Sequence, residues 1–193
     1  MFDDIAWVIQ PRANRATSAI LMKSRFDNEW LENQFPGGGD GSMFEFELIY
    51  HPTTTTGGVE GLKRPQPDGV RGVPMRNQGG QDKELYRWHW LLKNSRDVDD
   101  YSGMINLLNT MGMSTAAYNR VVEEAIDVDQ FLRTFAFLNL MGIGDNYGTH
   151  GSGAWHNAIF YIRPTDGKAM FFPWDMDFTF TNSATSGVTP SSD

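Results

Sequence analysis

The 193-residue chain has no cysteine. This excludes disulfides, thiolate metal sites and cysteine nucleophiles, and leaves the compartment open. Positive charge is scarce: 16 lysines and arginines face 24 acidic residues, a formal net charge of −8. An acidic surface repels phosphate backbones, which disfavours general nucleic-acid or anionic-membrane binding but still allows a local basic pocket for a phosphorylated small molecule. No window approaches the ~18 consecutive apolar residues of a membrane span. Internal repeats and long charge blocks are also lacking. The start, Met1-Phe2-Asp3-Asp4-Ile5-Ala6-Trp7, has neither the basic leader nor the apolar run of a secretory signal. The chain stops at Thr189-Pro190-Ser191-Ser192-Asp193, soon after its densest aromatic segment. Truncation at both ends is therefore expected, and the missing signal says little about the parent protein.

What is present suffices for a core. With 40% hydrophobic and 13% aromatic residues, the chain is expected to form a single domain over residues 1–193. Two stretches read as loops: Pro36 to Ser42, rich in glycine, and the Thr-, Gly- and Pro-rich run from Pro52 to Gly80. Between them Phe44, Phe46, Leu48 and Tyr50 share one parity while Glu45 and Glu47 take the other, which predicts a half-buried strand. Residues 17–34 predict a strand and then a short helix from Asp27 to Gln34.

From Asp82 the period turns helical. Leu85, Trp88, Leu91 and Leu92 form a first stripe. Tyr101, Met104, Ile105, Leu108 and Met111 form a second, and Tyr118, Val121, Val122 and Ala125 a third. Phe131, Phe135, Leu138, Leu140 and Met141 form a fourth. The fourth is apolar almost all round and predicts a central buried helix. Asp127 and Asp129 resemble a metal pair. Acidic residues just before a helix more often serve its free N–H groups and dipole, however, so they are read as caps, as are Asp97, Asp99 and Asp100. The fold class is thus α+β. Residues 1–80 hold the long loop at 52–80, and residues 81–180 hold the helices and the chemistry.

After the fourth helix comes a polar, glycine-rich loop, Gly142 to Asn157. Two apolar runs follow, Ala158 to Arg163 and Lys168 to Phe178, around Pro164-Thr165-Asp166-Gly167. In that sequence proline presets φ and glycine accepts positive φ, so the segment predicts a β-hairpin. Asn157 and Asp175 lie equally far from Asp166 on either side, which brings them together within about one residue of opposite. They share a face only if the turn has an odd number of residues or the strand a bulge. Asp175 and Asp177 share a face, and the preceding loop can swing Asp145 to the same mouth. Three carboxylates and an amide of this kind would suit Mg²⁺, Mn²⁺ or Ca²⁺ rather than zinc. The bland alternative is a polar strand end, with Asp175 capping a turn and Asp177 solvated. His150 and His156 fit no zinc spacing, and His156 is read as orienting the loop. Neither glycine-rich loop carries a phosphate-binding fingerprint.

Protein kinases keep a catalytic Asp and a metal-binding Asn in one loop and a second metal-binding Asp farther on. Asp145, Asn157 and Asp175 follow that order with a wider Asp-to-Asn gap, and without HRD or DFG. More specifically, Ile126-Asp127-Val128-Asp129-Gln130-Phe131-Leu132, Gly144-Asp145-Asn146, His156-Asn157-Ala158-Ile159-Phe160-Tyr161, Asp166-Gly167-Lys168 and Phe172-Pro173-Trp174-Asp175-Met176-Asp177-Phe178-Thr179-Phe180 resemble the CotH kinase family, named for a spore-coat protein. The likeness covers about residues 100–180, the C-terminal part of the domain, while the first 80 residues match poorly.

The resemblance implies an atypical protein-kinase-like fold, ATP with Mg²⁺ or Mn²⁺ as cofactors, and phosphorylation of Ser/Thr on a coat or extracellular protein. It also implies an extracytoplasmic or spore-surface setting. By position it makes Asp145 the catalytic-loop aspartate and Asp175 and Asp177 metal carboxylates with Asn157 beside them, supported by Asn146 and His156. The cation that grips the nucleotide is expected in the N-terminal half, where Lys23, Lys63 and Arg64 are unranked candidates. Two alternatives are a glycosyltransferase holding a nucleotide-sugar metal through Asp175-Met176-Asp177, and a non-catalytic kinase-like or Ca²⁺-stabilised scaffold.

Overall fold

The computed structural model describes residues 3–7, 19–23, 25–46, 50–51, 64–65, 80–87, 90–143, 146–147 and 157–176. Strands β1 (Asp3–Trp7) and β2 (Ala19–Lys23) form an antiparallel pair in which Ile5 faces Leu21. Helix α1 (Asn28–Gln34) follows, opened by Asp27, whose carboxylate accepts from the Trp30 N–H at 3.0 Å. This agrees with the expected strand and short helix. Strand β3 (Ser42–Phe46) comes next. A minimal pair, β4 (Tyr50–His51) with β5 (Arg64–Pro65), interrupts the stretch read as one long loop.

The central sheet has four strands in the order β6-β3-β7-β8, where β6 is Leu91–Leu92, β7 is Ala158–Ile162 and β8 is Ala169–Pro173. All three pairings are antiparallel. Side chains alternate between faces along each strand, and both faces are covered. On one, Phe44 lies opposite Phe160, and Phe160 opposite Phe171. These rings meet residues of helices α2 (Ser102–Met111), α3 (Thr115–Ala125) and α4 (Val128–Leu140) in the main core. On the other face Met43, Ile159, Tyr161 and Met170 pack with Phe26 and with Leu31 of α1.

Full coverage changes one expectation. The strand at 43–50 reads as half-buried, yet Met43, Phe44, Glu45 and Phe46 are all buried because β3 is an interior strand. Glu45 is neutralised there by Lys93 rather than by water. Glu47 and Leu48 lie outside the described residues.

A second correction concerns residues 82–92. A helix is expected, but the chain makes a short 3₁₀ turn at Lys83–Leu85 and then strand β6. Four apolar residues cannot distinguish a helical stripe from a turn plus a strand. Leu91 and Leu92 find an open edge of β3, opposite Glu45 and Phe44. The turn is held by Asp99, which accepts from Lys83 Nζ at 2.6 Å and from the Arg87 guanidinium. The Arg87 hydrogen bonds hold the Asp99 carboxyl well below the usual aspartate range. Asp99 is therefore an ion-pair hub rather than a cap. Asp100, one residue before the N-cap Tyr101, accepts from the Ser102 N–H at 2.8 Å and so serves the first free donor of the next helix.

Helix α4 begins where expected, with Asp127 accepting from the Gln130 N–H at 3.1 Å. Arg163 donates to the same carboxylate at 3.0 Å, which binds the start of α4 to the hairpin. Asp129 does not cap; it pairs with Arg133 on the surface. The helix is not buried all round: Phe131 and Leu138 are inside, but Leu132 is 63% and Leu140 79% exposed. Only one face meets the sheet, because β8 is its edge and α4 lies along that edge rather than at the centre.

Gln130 closes that edge. Its amide accepts from the Phe171 N–H at 2.8 Å and donates to the Phe171 carbonyl at 2.6 Å, doing the work of a neighbouring strand. Gln130→Ala takes the side-chain partner from the Phe171 N–H and leaves its carbonyl only the longer 3.4 Å bond from the Thr134 hydroxyl, in a part-buried place. It is expected to lower unfolding stability by about 1–3 kcal/mol, read as a lower urea midpoint at unchanged slope. An unchanged midpoint would mean that water replaces the amide at no cost.

Candidate functional site

The hairpin forms around the turn the sequence indicates. Arg163 N–H donates to the Lys168 carbonyl at 2.9 Å, and Gly167 has φ +71. Arg163 also grips Asp166 through two donors, at 2.9 and 2.6 Å, and these bonds hold the Asp166 carboxyl below its ordinary range. The turn therefore fixes the register: Ile162 faces Ala169 and Ala158 faces Pro173. One step further, Trp174 N–H donates to the Asn157 carbonyl at 3.2 Å. Asn157 thus lies opposite Trp174, and Asp175 is one residue beyond.

The turn is even and the strands carry no bulge, so the pleat alone would set Asn157 and Asp175 on opposite faces. Asn157 has φ +56 and Asp175 φ +53, so both leave the pleat and its alternation at the same end of the hairpin. Left-handed backbone at a non-glycine residue costs on the order of 1 kcal/mol, least for Asn and Asp. Two such residues at one mouth mean that the surrounding packing over-determines their placement.

The loop after α4 is anchored to this mouth. The helix ends on Gly142 at φ +63, and Ile143 N–H reaches back to the Leu138 carbonyl at 3.1 Å, a glycine stop that satisfies the last turn. Buried Asn146 then donates its amide to the Trp174 carbonyl at 2.9 Å. Its neighbour Tyr147 lays its ring against Phe160 and Phe171, with centroids 5.7 and 5.8 Å away. Burial pushes the Tyr147 hydroxyl well above its ordinary pKa. A chain of contacts thus joins Asn146 to Trp174, and Trp174 to Asn157, just before Asp175.

Of the residues expected in the site, the structure brings Asn146, Asn157 and Asp175 together. Asp145, His156 and Asp177 lie outside the described residues, as does Lys63. Lys23 ends β2 and Arg64 begins β5. Asp175 is exposed and has no ion pair or hydrogen bond with any described residue, while Asn157 is buried. Carboxylate and amide oxygens are the donor chemistry of a hard cation such as Mg²⁺ or Mn²⁺, and Asp175 and Asn157 carry them near one another in the chain pairing of the hairpin mouth. Among the described residues no group of three or more His, Asp or Glu side chains gathers, at the mouth or elsewhere.

The glycine-rich loop at 36–42 is structural. Its Gly38 carbonyl accepts from the Tyr161 hydroxyl at 2.9 Å, whose pKa burial pushes up to about 12. Sequence reasoning missed the buried Glu45–Lys93 pair in β3 and just beyond β6. Its signal was an acid flanked by two phenylalanines in a strand that turns out to be interior.

A comparison with curated proteins gives no match. The family profile described as CotH kinase protein matches residues 75–191, a span that begins near the end of the long loop and includes helices α2 to α4, the hairpin and the mouth residues. This chain belongs to the CotH kinase protein family.

Proposed function

We propose that the protein transfers the γ-phosphate of ATP to Ser or Thr of a protein substrate, a coat or extracellular protein, in an extracytoplasmic or spore-surface setting. Membership in a kinase family implies ATP and a divalent metal in general terms. Asn157, Asp175 and Asp177 would hold Mg²⁺ or Mn²⁺, which when bound neutralises charge on the phosphates. Asp145 positions the acceptor hydroxyl and takes its proton. Asn146 supports the catalytic loop by its hold on the Trp174 carbonyl, and His156 orients the loop. The observation that carries this reading is the meeting of Asn157 and Asp175, both left-handed, at the mouth to which Asn146 ties the preceding loop.

The test is transfer of radiolabel from γ-labelled ATP to a panel of acceptor proteins with Mg²⁺ or Mn²⁺, followed by identification of the labelled residue. Label on Ser or Thr is expected, falling roughly 10²–10⁴-fold in Asp145→Asn, as befits loss of a general base. Metal-dependent nucleotide binding without transfer to any acceptor would replace the kinase with a non-catalytic scaffold. Preference for a nucleotide-sugar over ATP would indicate a glycosyltransferase.

A further inference from the structure

Among the described residues six large apolar side chains stand in solvent. Leu85, Val98 and Met113 are scattered over the 3₁₀ turn, the loop before α2 and the turn between α2 and α3. Single exposures of this kind are ordinary. The other three share helix α4: Leu132 at 63%, Phe137 at 45% and Leu140 at 79%. At 3.6 residues per turn, Leu132, Ala136 and Leu140 follow one another in a row along the flank opposite buried Phe131 and Leu138. Ala136 is exposed as well, and Phe137 borders the row. A surface helix ordinarily turns polar residues outward there.

That flank is electrically neutral. Its two charges, Asp129 and Arg133, pair with each other at 2.8 Å, and its remaining polar residue, Asn139, is uncharged. In a chain of net charge −8, repulsion between copies opposes self-association. Two copies therefore meet least resistance across a surface that carries no net charge. The row also reads the same in both directions, because Leu132 and Leu140 each stand four residues from Ala136. A two-fold axis through Ala136 sets Leu132 of one copy on the partner's Leu140, twice over. The smallest side chain of the row then lies where the helices cross, which allows close approach. Such self-complementarity is the condition for an isologous interface.

We propose that α4 is a self-association surface, which pairs with α4 of a second copy of this chain in an antiparallel, two-fold arrangement. The row is about 12 Å long. One helix and its borders bury less than about 1,200 Å² in total, the range of transient pairs, so a Kd on the order of 10 μM is expected.

Sedimentation equilibrium over roughly 1–100 μM brackets that affinity. A monomer–dimer equilibrium is expected, and it should tighten with added salt, since screening relieves the repulsion between copies. Leu132→Lys and Leu140→Glu, both on the exposed flank, should each weaken the dimer roughly tenfold or more by setting a charge against leucine. Mixing the two variants should restore it, because the new lysine then meets the new glutamate. Leu85→Glu, away from α4, should leave the equilibrium unchanged. A parent protein that stays monomeric throughout overturns the proposal, and the flank then belongs to another occupant. A dimer that survives both substitutions places the interface elsewhere, and a mixture that stays monomeric overturns the pairing about Ala136. Ala136→Cys gives a reading that does not depend on tolerance of new charge. The chain has no other cysteine, and the axis brings the two thiols within reach of a disulfide, whose Cα atoms stand roughly 4.4–6.8 Å apart. Under mild oxidation this variant should cross-link faster than Leu85→Cys, and equal rates overturn the proposal.

Discussion

Asp175→Ala abolishes metal-dependent ATP binding and leaves the protein folded: that is the result expected if the hairpin mouth is the metal site. Asp175 is exposed and bonded to no described residue, so removing its carboxylate breaks no bond among the described residues. Its backbone is left-handed at φ +53, where alanine is less tolerant than aspartate. A loss of about 1 kcal/mol in stability is therefore expected from conformation alone. Asp175→Asn removes this complication, because asparagine accepts the same backbone and keeps the shape while losing the charge. Hard-cation affinity depends on the number of charged oxygens supplied. In both variants ATP affinity with Mg²⁺ should fall roughly 100-fold or more, with a melting temperature within a few degrees of the parent. Titration calorimetry with and without chelator reads this. If Asp175→Asn binds Mg²⁺-ATP as the parent does, Asp175 is a solvated turn residue and the site lies elsewhere.

The second large effect belongs to the core beneath the mouth. Phe160 is fully buried in β7, with ring centroids 5.3 Å from Phe171, 5.7 Å from Trp90 and from Tyr147, and 6.2 Å from Phe131. Phe160→Ala is expected to cost about 3–5 kcal/mol, a large share of the 5–15 kcal/mol typical of a domain. The conservative Phe160→Leu should cost less than about half of that. Because Tyr147 rests on the same ring, the alanine variant should also free the loop after α4, read as faster proteolysis between Gly142 and Asn157 under conditions where the rest stays folded. A loss under about 1 kcal/mol would mean that Phe160 is not central and that the register of β3, β7 and β8 is misplaced.

Local chemistry was legible wherever the physical cause is itself local. Asp27 and Asp127 cap the helices they precede, since the orphan N–H groups lie within three residues of the cap. Pro164 to Gly167 make the turn because φ is set residue by residue. The second and third apolar stripes became α2 and α3 as their spacing indicates. What failed depended on neighbours distant in sequence. Leu91 and Leu92 joined β3 rather than a helix because an edge was open to them. Glu45 took the parity of a solvent-facing residue, but that second face is covered by Phe26, Leu31 and the tyrosine and methionines beside it. Helix α4 has apolar residues on every side, yet exposes Leu132 and Leu140 because only one flank meets the edge strand.

The candidate site divides in the same way. Counting from Asp166 was enough to say that Asn157 and Asp175 end at one mouth, because a turn of known length sets which residues face each other. Whether their side chains could cooperate was not a matter of counting. The even turn alone would have sent neighbouring positions to opposite faces, and it is the left-handed backbone at both residues, held by the Trp174 and Asn146 hydrogen bonds, that releases them from the pleat. The residues themselves determined the helix starts, the hairpin and the family likeness, all written in short stretches of chain. Only the tertiary structure decided which charges are buried, which apolar faces stay open and that Lys93 pairs with Glu45, because burial depends on what packs across the sheet from segments distant in sequence.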